Sequence, residues 1–237
     1  RDWSSDVCSS DLEGKSLVRI DGKVIFVSGA IPGDVADIQL GKSKKDWAEG
    51  RAINIIEPSP DRLVPFCKHF GNCGGCKWQM LPYEKQLAYK QQEVLDNLQR
   101  IGKVQIPEVL SIVGADTTQH YRNKLEFTFS NRRYLTNDEI GSETSFTPQN
   151  ALGYHAPRVF DKIIDITECY LLDDLNNIIR NTVRDFAIEN HFEFYDIKAH
   201  TGWLRNIIIR YSSTKELMVN ICFNYDAEND KIGRAHV

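Results

Sequence analysis

"CKHFGNCGGCKWQ", residues 67–79, sets Cys67, Cys73 and Cys76 in a C-x5-C-x2-C pattern among glycines and lysines. Gly71, Gly74 and Gly75 allow the backbone to wrap closely around a bulky centre and to turn N–H groups toward its sulfurs. A core of reduced structural thiols fits poorly with so polar a stretch. A redox pair at Cys73 and Cys76 is a competing use of the C-x-x-C spacing. Tight clustering in a lysine-rich chain favours metal over disulfides.

Three thiolates need a fourth ligand to close the site. Cys222 lies in the apolar run "LMVNICFN", where a small buried thiol is expected. Cys169 stands in "DITECYLL", where a strand gives way to a helix, so it can project from an element end and is the expected ligand. His69 competes, but its place inside the short loop makes simultaneous binding sterically harder. Zinc and a 4Fe-4S cluster both accept four cysteines, and spacing alone does not separate them. Three local ligands and one distant ligand mildly favour the cluster.

The composition is that of an ordinary globular protein: 237 residues, 41% hydrophobic and 26% charged. No apolar run approaches the roughly 20 residues of a bilayer-spanning helix. The N-terminus does not read as a secretory signal, so the expected compartment is the cytoplasm. A formal charge of -4 gives no bulk attraction to nucleic acid, and any RNA binding must rest on a local basic patch. Residues 62–103 provide one, with seven Lys or Arg against three acids.

The two ends share an origin. Asp6-Val7-Cys8-Ser9-Ser10-Asp11 can be encoded GAC GTG TGC TCT TCC GAT. The reverse complement of that sequence translates as Ile-Gly-Arg-Ala-His-Val, residues 232–237. Residues 1–12 and 232–237 therefore resemble translated sequencing adapter and are set aside, Cys8 with them. On this reading the chain is a fragment.

Residues 13–58 read as a small all-β, OB-like barrel with an incomplete first strand. Asp21-Gly22 is the hairpin turn of "LVRIDGKVIFV", "IPGD" a second turn, and "VADIQL" and "WAEGRAINII" further strands. Residues 59–105 comprise a proline-rich linker, the cysteine loop and a helix with an apolar stripe at 87, 94, 95, 98 and 101, ended by Gly102. Residues 106–231 read as an α+β domain with an antiparallel sheet. Its strands are "KLEFTFS", "ALGYHA", "VFDKIIDI", "LRNIIIRYS" and "ELMVNICFN". Its helix is "LDDLNNIIRNTVRDFAIEN", with a stripe at 175, 178, 179, 182, 183 and 186. Segment 131–149 reads as a loop.

This order of parts, with "SPDRLVPFCKHFGNCGGCKWQ", "HYRNKLEFTFS" and "DITECYLL", resembles the bacterial RNA (uracil-5-)-methyltransferases, and among them the large-subunit rRNA branch of the RlmD type. The resemblance covers nearly all of residues 13–223. It implies that the barrel is a TRAM domain and that Cys67, Cys73, Cys76 and Cys169 hold a 4Fe-4S cluster. The implied reaction uses S-adenosylmethionine: a cysteine thiolate adds to carbon 6 of uracil, carbon 5 takes the methyl group, and a base removes the carbon 5 proton. The doubly wound domain that binds the cofactor and carries those groups is absent from this sequence, so the fragment is expected to be inactive.

RNA, 23S rRNA in particular, is the expected partner; no obligate protein partner is evident. Tyr121 could stack on a base, and Arg122 and Lys124 could meet phosphates or base edges; the competing reading is a solvated strand face. Lys44 and Lys45 could meet phosphate beside Trp47; the competing reading is a solvated hairpin tip with Trp47 in the core. A tRNA-directed relative and a zinc-stabilised, non-enzymatic RNA-binding module are the alternatives.

Overall fold

The computed structural model describes residues 14–140 and 149–225, in two compact units. The adapter-like ends lie outside the described residues. One unit takes in residues up to Phe66 together with Cys76–Asp116; the other takes in Cys67–Gly75 and the chain from Thr117. The loop carrying Cys67 and Cys73 thus folds with the later part of the chain. No helix among the described residues is long and apolar enough to cross a membrane.

In the first unit, β1 (Lys15–Ile20) and β2 (Lys23–Ser28) form the antiparallel hairpin expected from Asp21-Gly22. Asp21 and Gly22 both have positive φ, 49° and 78°, as a type I′ turn requires. β3 (Val35–Ser43) and β4 (Trp47–Glu57) pair antiparallel, and β4 also runs parallel to β2, giving the order β1-β2-β4-β3. The four strands form one sheet with β1 and β3 at its edges. Alternate residues Val18, Ile25, Val27 and Ala48 meet with Ala30 as its core.

The linker after β4 is clamped rather than loose. Asp34, its side chain wholly buried, accepts N–H bonds from Ile31 (2.7 Å) and Ser59 (2.9 Å) and pairs with the Arg62 guanidinium. Arg62 also donates to the Gly29 carbonyl at 3.0 Å. Helix α1 (Tyr83–Asp96) follows and ends in a π-helical turn over Asn97–Ile101, where the Gly102 N–H reaches back to the Asn97 carbonyl. The expected apolar stripe is not a buried one: α1 buries no residue, and Val94, Leu98 and Ile101 are exposed. Polar side chains instead tie the helix to the irregular segment that follows. Gln91 bonds Leu110 and Ile112, and the Tyr83 hydroxyl accepts the Ala115 N–H.

The second unit is a five-stranded antiparallel sheet in the order β7-β6-β5-β8-β9. Its strands are β5 (Lys124–Ser130), β6 (Ala151–Ala156), β7 (Val159–Asp165), β8 (Leu204–Tyr211) and β9 (Leu217–Phe223). All five were legible from alternation. Leu125, Phe127 and Phe129 of β5 and Ile207 and Ile209 of β8 are buried, and about 2 kcal/mol each is the scale of such burial. Among its described residues the 131–149 loop contains a short helix, α2 (Asn137–Ile140), beside an Arg133–Glu139 ion pair.

Two expectations need correction in this unit. Cys222 is not a buried thiol: it is half-exposed because β9 is an edge strand. Helix α3 (Leu175–Glu189) turns its apolar stripe inward only in part, with Ile179 and Val183 half-buried. Leu175, Ile178 and Phe186 are exposed, and the buried residues are Asn176, Arg180 and Ala187. The helix is rotated so that polar side chains can meet the segment leading into it.

The Asp34 clamp yields a measurable consequence. Burial alone would raise the Asp34 pKa, but the Arg62 bond and the Ile31 and Ser59 N–H groups outweigh it and lower the value. The folded chain then binds fewer protons than the unfolded one. The clamp's contribution is complete above about pH 4 and is lost as pH falls through the lower folded value. Asp34→Ala should cost about 3 kcal/mol in denaturant unfolding at pH 7 and should flatten the acid limb of the stability profile.

Candidate metal centre and RNA-facing residues

The cysteine loop is a series of tight turns. Phe70 N–H bonds the Cys67 carbonyl (3.0 Å), Cys73 N–H bonds the His69 carbonyl (2.8 Å), and Gly71 takes φ +87°. The Gly75 N–H points at the Cys73 sulfur at 3.4 Å, the orientation that glycine beside a thiolate ligand permits. A side chain at Gly74 would stand 3.2 Å from the Pro157 ring, so the loop lies directly on the β6–β7 turn.

The loop is seated on residues 167–171, which carry the distant cysteine. The Thr167 N–H donates to His69 Nε2 at 3.1 Å, and the Thr167 hydroxyl lies 3.2 Å from the same nitrogen. Burial, with the Lys68 charge, lowers the His69 pKa and keeps the ring in the neutral form that this bond needs. The Lys68 N–H donates to the Glu168 carboxylate at 3.2 Å, and the Lys68 ammonium lies 3.7 Å from its other oxygen. His69 is thereby an anchor of the loop, its Nε2 committed to Thr167.

Cys169, 7% exposed, is held from behind by α3. Its N–H donates to Asn177 Oδ1 (2.7 Å), and its carbonyl accepts from Asn176 Nδ2 (3.1 Å), which also serves the carbonyls of Leu172 and Asp173. Asn181 bonds the Thr167 carbonyl at 3.0 Å. The Tyr154 hydroxyl lies 3.9 Å from the Cys169 sulfur. Burial, then negative charge on Cys169 and on Cys73, drives the Tyr154 phenol far above its usual pKa. Tyr170 is raised by Glu168, with Cys67 contributing after burial. Cys169 and Cys73 thus both act on Tyr154, and Cys67 acts on Tyr170. Cys76 is half-buried and belongs to the first unit.

A fully buried guanidinium completes this neighbourhood. Arg180 donates to Asn176 Oδ1 (3.0 Å), Asn177 Oδ1 (3.1 Å) and Asn181 Oδ1 (3.3 Å), lies 4.8 Å from the Phe127 ring centre, and leaves Nε without a partner. Burial lowers its pKa to about 10, and the Cys169 charge works in the opposite sense. The donor set, the N–H aimed at sulfur and the orphaned cation all fit an anionic metal–thiolate centre. Among the described residues no group of three or more His, Cys, Asp or Glu side chains closes up as it would around one ion. A four-iron cluster spreads its thiolates over separate metal atoms and does not require that closure.

The cations suggested for RNA fall on exposed surface. Tyr121 is 58% exposed, and Arg122 and Lys124 are exposed with it. Lys124 is directly opposite Arg210 across the β5–β8 ladder. A like-charge pair in that register costs roughly 0.2–1 kcal/mol, which an anion would relieve. Lys44 and Lys45 are exposed at the β3–β4 turn. Trp47 is half-buried, set edge-on to Phe26, with the Lys42 and Lys44 ammoniums 5.7 and 5.4 Å from its ring centre, so that face is already covered. Arg205 is stacked on Tyr195 at 4.5 Å.

Sequence reasoning missed Tyr154, Asn176 and Arg180. The readable signal was the i, i+4 pair Asn176–Arg180, polar residues on one edge of an otherwise amphipathic helix.

No family model matches the chain. A Bacteroides thetaiotaomicron protein named as an uncharacterized RNA methyltransferase is 52% identical over 207 residues, which is 87% of this chain and 46% of that protein. A Porphyromonas gingivalis protein of the same name is 45% identical over 219 residues, 90% of this chain and 47% of its own length. The chain spans about half the length of the curated relatives it matches. The crystal structure of Pyrococcus abyssi tRNA (uracil-54, C5)-methyltransferase in complex with S-adenosyl-L-homocysteine shares the fold, with a TM-score of 0.61. At 22% identity, the match covers 95% of this chain and 47% of that one.

His69→Ala should release the 67–75 loop at a cost of about 1–3 kcal/mol, because the Thr167 N–H loses its acceptor. Limited proteolysis should then cut within 67–75 while the five-stranded sheet stays protected.

Proposed function

We propose that this chain belongs with the RNA (uracil-5-)-methyltransferases. In this reading it carries the RNA-recognition and iron–sulfur portion of an S-adenosylmethionine-dependent enzyme that methylates carbon 5 of uracil in 23S rRNA in the cytoplasm. The similarity to curated RNA methyltransferases over 87% of the chain supports the family and an RNA substrate. S-adenosyl-L-homocysteine in the solved neighbour is in keeping with that methyl donor.

Within this reading Cys67, Cys73, Cys76 and Cys169 are the ligands of a 4Fe-4S cluster. The single observation that supports the assignment is the seating of the cysteine loop on residues 167–171, the segment that carries Cys169. The cluster's role is structural: four thiolates leave no iron site open to substrate. The first unit's four-stranded sheet serves as the TRAM-type RNA-binding module with Lys44 and Lys45 on its turn, and Tyr121, Arg122 and Lys124 form a second contact. The chain's own part in the reaction, on this reading, is to bind the RNA.

Protein purified without oxygen should be brown, absorb near ~400 nm, and contain about four irons per chain. Stoichiometric zinc without iron would replace the cluster by a zinc-stabilised RNA-binding module. Arg122→Glu with Lys124→Glu should weaken RNA binding and lower the slope of log affinity against log salt by about two. In competition binding, 23S rRNA fragments should outcompete tRNA. The opposite order would favour the tRNA-directed reading, which the tRNA enzyme's shared fold keeps in play.

A further inference from the structure

We propose that Arg180 is the counter-cation of an anionic metal–thiolate centre anchored at Cys169, and that its charge, beyond its packing, helps hold the metal. The inference rests on the reading of the four cysteines as cluster ligands.

Arg180 is 0% exposed, and every group it hydrogen-bonds is a neutral amide. Among the described residues no carboxylate lies within ion-pair distance of it. Asp165, which also acts on it electrostatically, is already met by Arg184 at 3.2 Å. An isolated charge in that position is strongly unfavourable unless a negative charge faces it. Cys169, a thiol that is deprotonated when it binds metal, is held by the same two amides that hold Arg180.

The connection is also mechanical. Asn177 Oδ1 accepts from both the Cys169 N–H and Arg180, and Asn176 donates to the Cys169 carbonyl while accepting from Arg180. Two amides thus fix the guanidinium against the backbone of the ligand. A cluster with four thiolates carries net negative charge, and Arg180 would balance it on the side facing the α3–sheet core. Outer groups of this kind support metal retention without touching the metal.

The test compares Arg180→Met, Arg180→Gln and Arg180→Lys with the wild-type chain, all purified without oxygen. Iron loss to an excess of chelator is timed, and melting of the iron-free proteins is recorded. The neutral variants should release iron about tenfold faster or more, with lysine close to wild type. Iron-free Arg180→Met should melt no lower than iron-free wild type, because an uncompensated buried charge has gone. Three results overturn the inference: neutral variants that keep iron as wild type does, lysine that loses it as fast as methionine, or failure of both neutral variants to fold where iron-free wild type folds. Wild-type protein that never contains iron or another thiolate-bound metal fails the ligand reading itself, a different outcome from any of these.

Discussion

The second unit depends on one edge of α3 being polar and buried. Asn176, Asn177 and Asn181 satisfy the N–H of Cys169 and the carbonyls of Thr167, Cys169, Leu172 and Asp173, and Arg180 donates to the oxygens of all three amides. These are backbone groups of an irregular segment packed against a sheet, and unsatisfied they would cost about 1–3 kcal/mol each. The helix could have laid Leu175, Ile178 and Phe186 on the sheet instead. It leaves them exposed, which gives up apolar burial to hold a turn in one conformation. That turn presents Cys169 and the acceptors that seat the 67–75 loop. Remove the polar edge and the loop has nothing shaped to sit on.

How much of this could be read from the sequence follows from which physics is local. The Asp21-Gly22 turn was legible because positive φ at two successive positions restricts the residues that can occupy them. The strands of the second unit were legible because alternation has a fixed period, as "KLEFTFS" shows with Leu125, Phe127 and Phe129 turned inward. The place of Cys169 between a strand end and a helix start was legible for the same reason, and the structure puts it between β7 and α3. The rotation of α3 was not legible. Periodicity says which residues share a face, and the assumption that the apolar face turns inward fails where a buried backbone needs amide partners. α1 failed the same assumption from the other side, holding its neighbour by Gln91 and Tyr83 rather than by its apolar stripe. Cys222 misled because an apolar run was taken for a central strand, and only the sheet order puts β9 at an edge.

The two units handle buried charge in opposite ways. Asp34 has a guanidinium and two backbone N–H groups, a closed set that accounts for its carboxylate within its own unit. Nothing further is required of a partner, and its role is to fix the linker after β4. Arg180 has hydrogen bonds but no opposite charge among them, and one of its nitrogens has no acceptor at all. Hydrogen bonds to neutral amides solvate a guanidinium only in part. A buried guanidinium so placed calls for a compensating negative charge, and the Cys169 thiol, whose backbone is held by the same amides, is a group able to supply one.

That contrast bears on why a metal centre would be built from one distant and three local cysteines. A site made wholly from a loop such as 67–76 would be held by glycine-rich turns, whose backbone freedom is the very property that lets them wrap a cluster. Drawing a ligand from the 167–171 segment ties the loop to a residue whose N–H and carbonyl are both fixed by a helix. Hydrogen bonds at His69 and Glu168 then set the loop's register without using a thiol. On the proposed reading the division of labour is physical: flexible residues would conform to the centre, and rigid ones would decide where it stands.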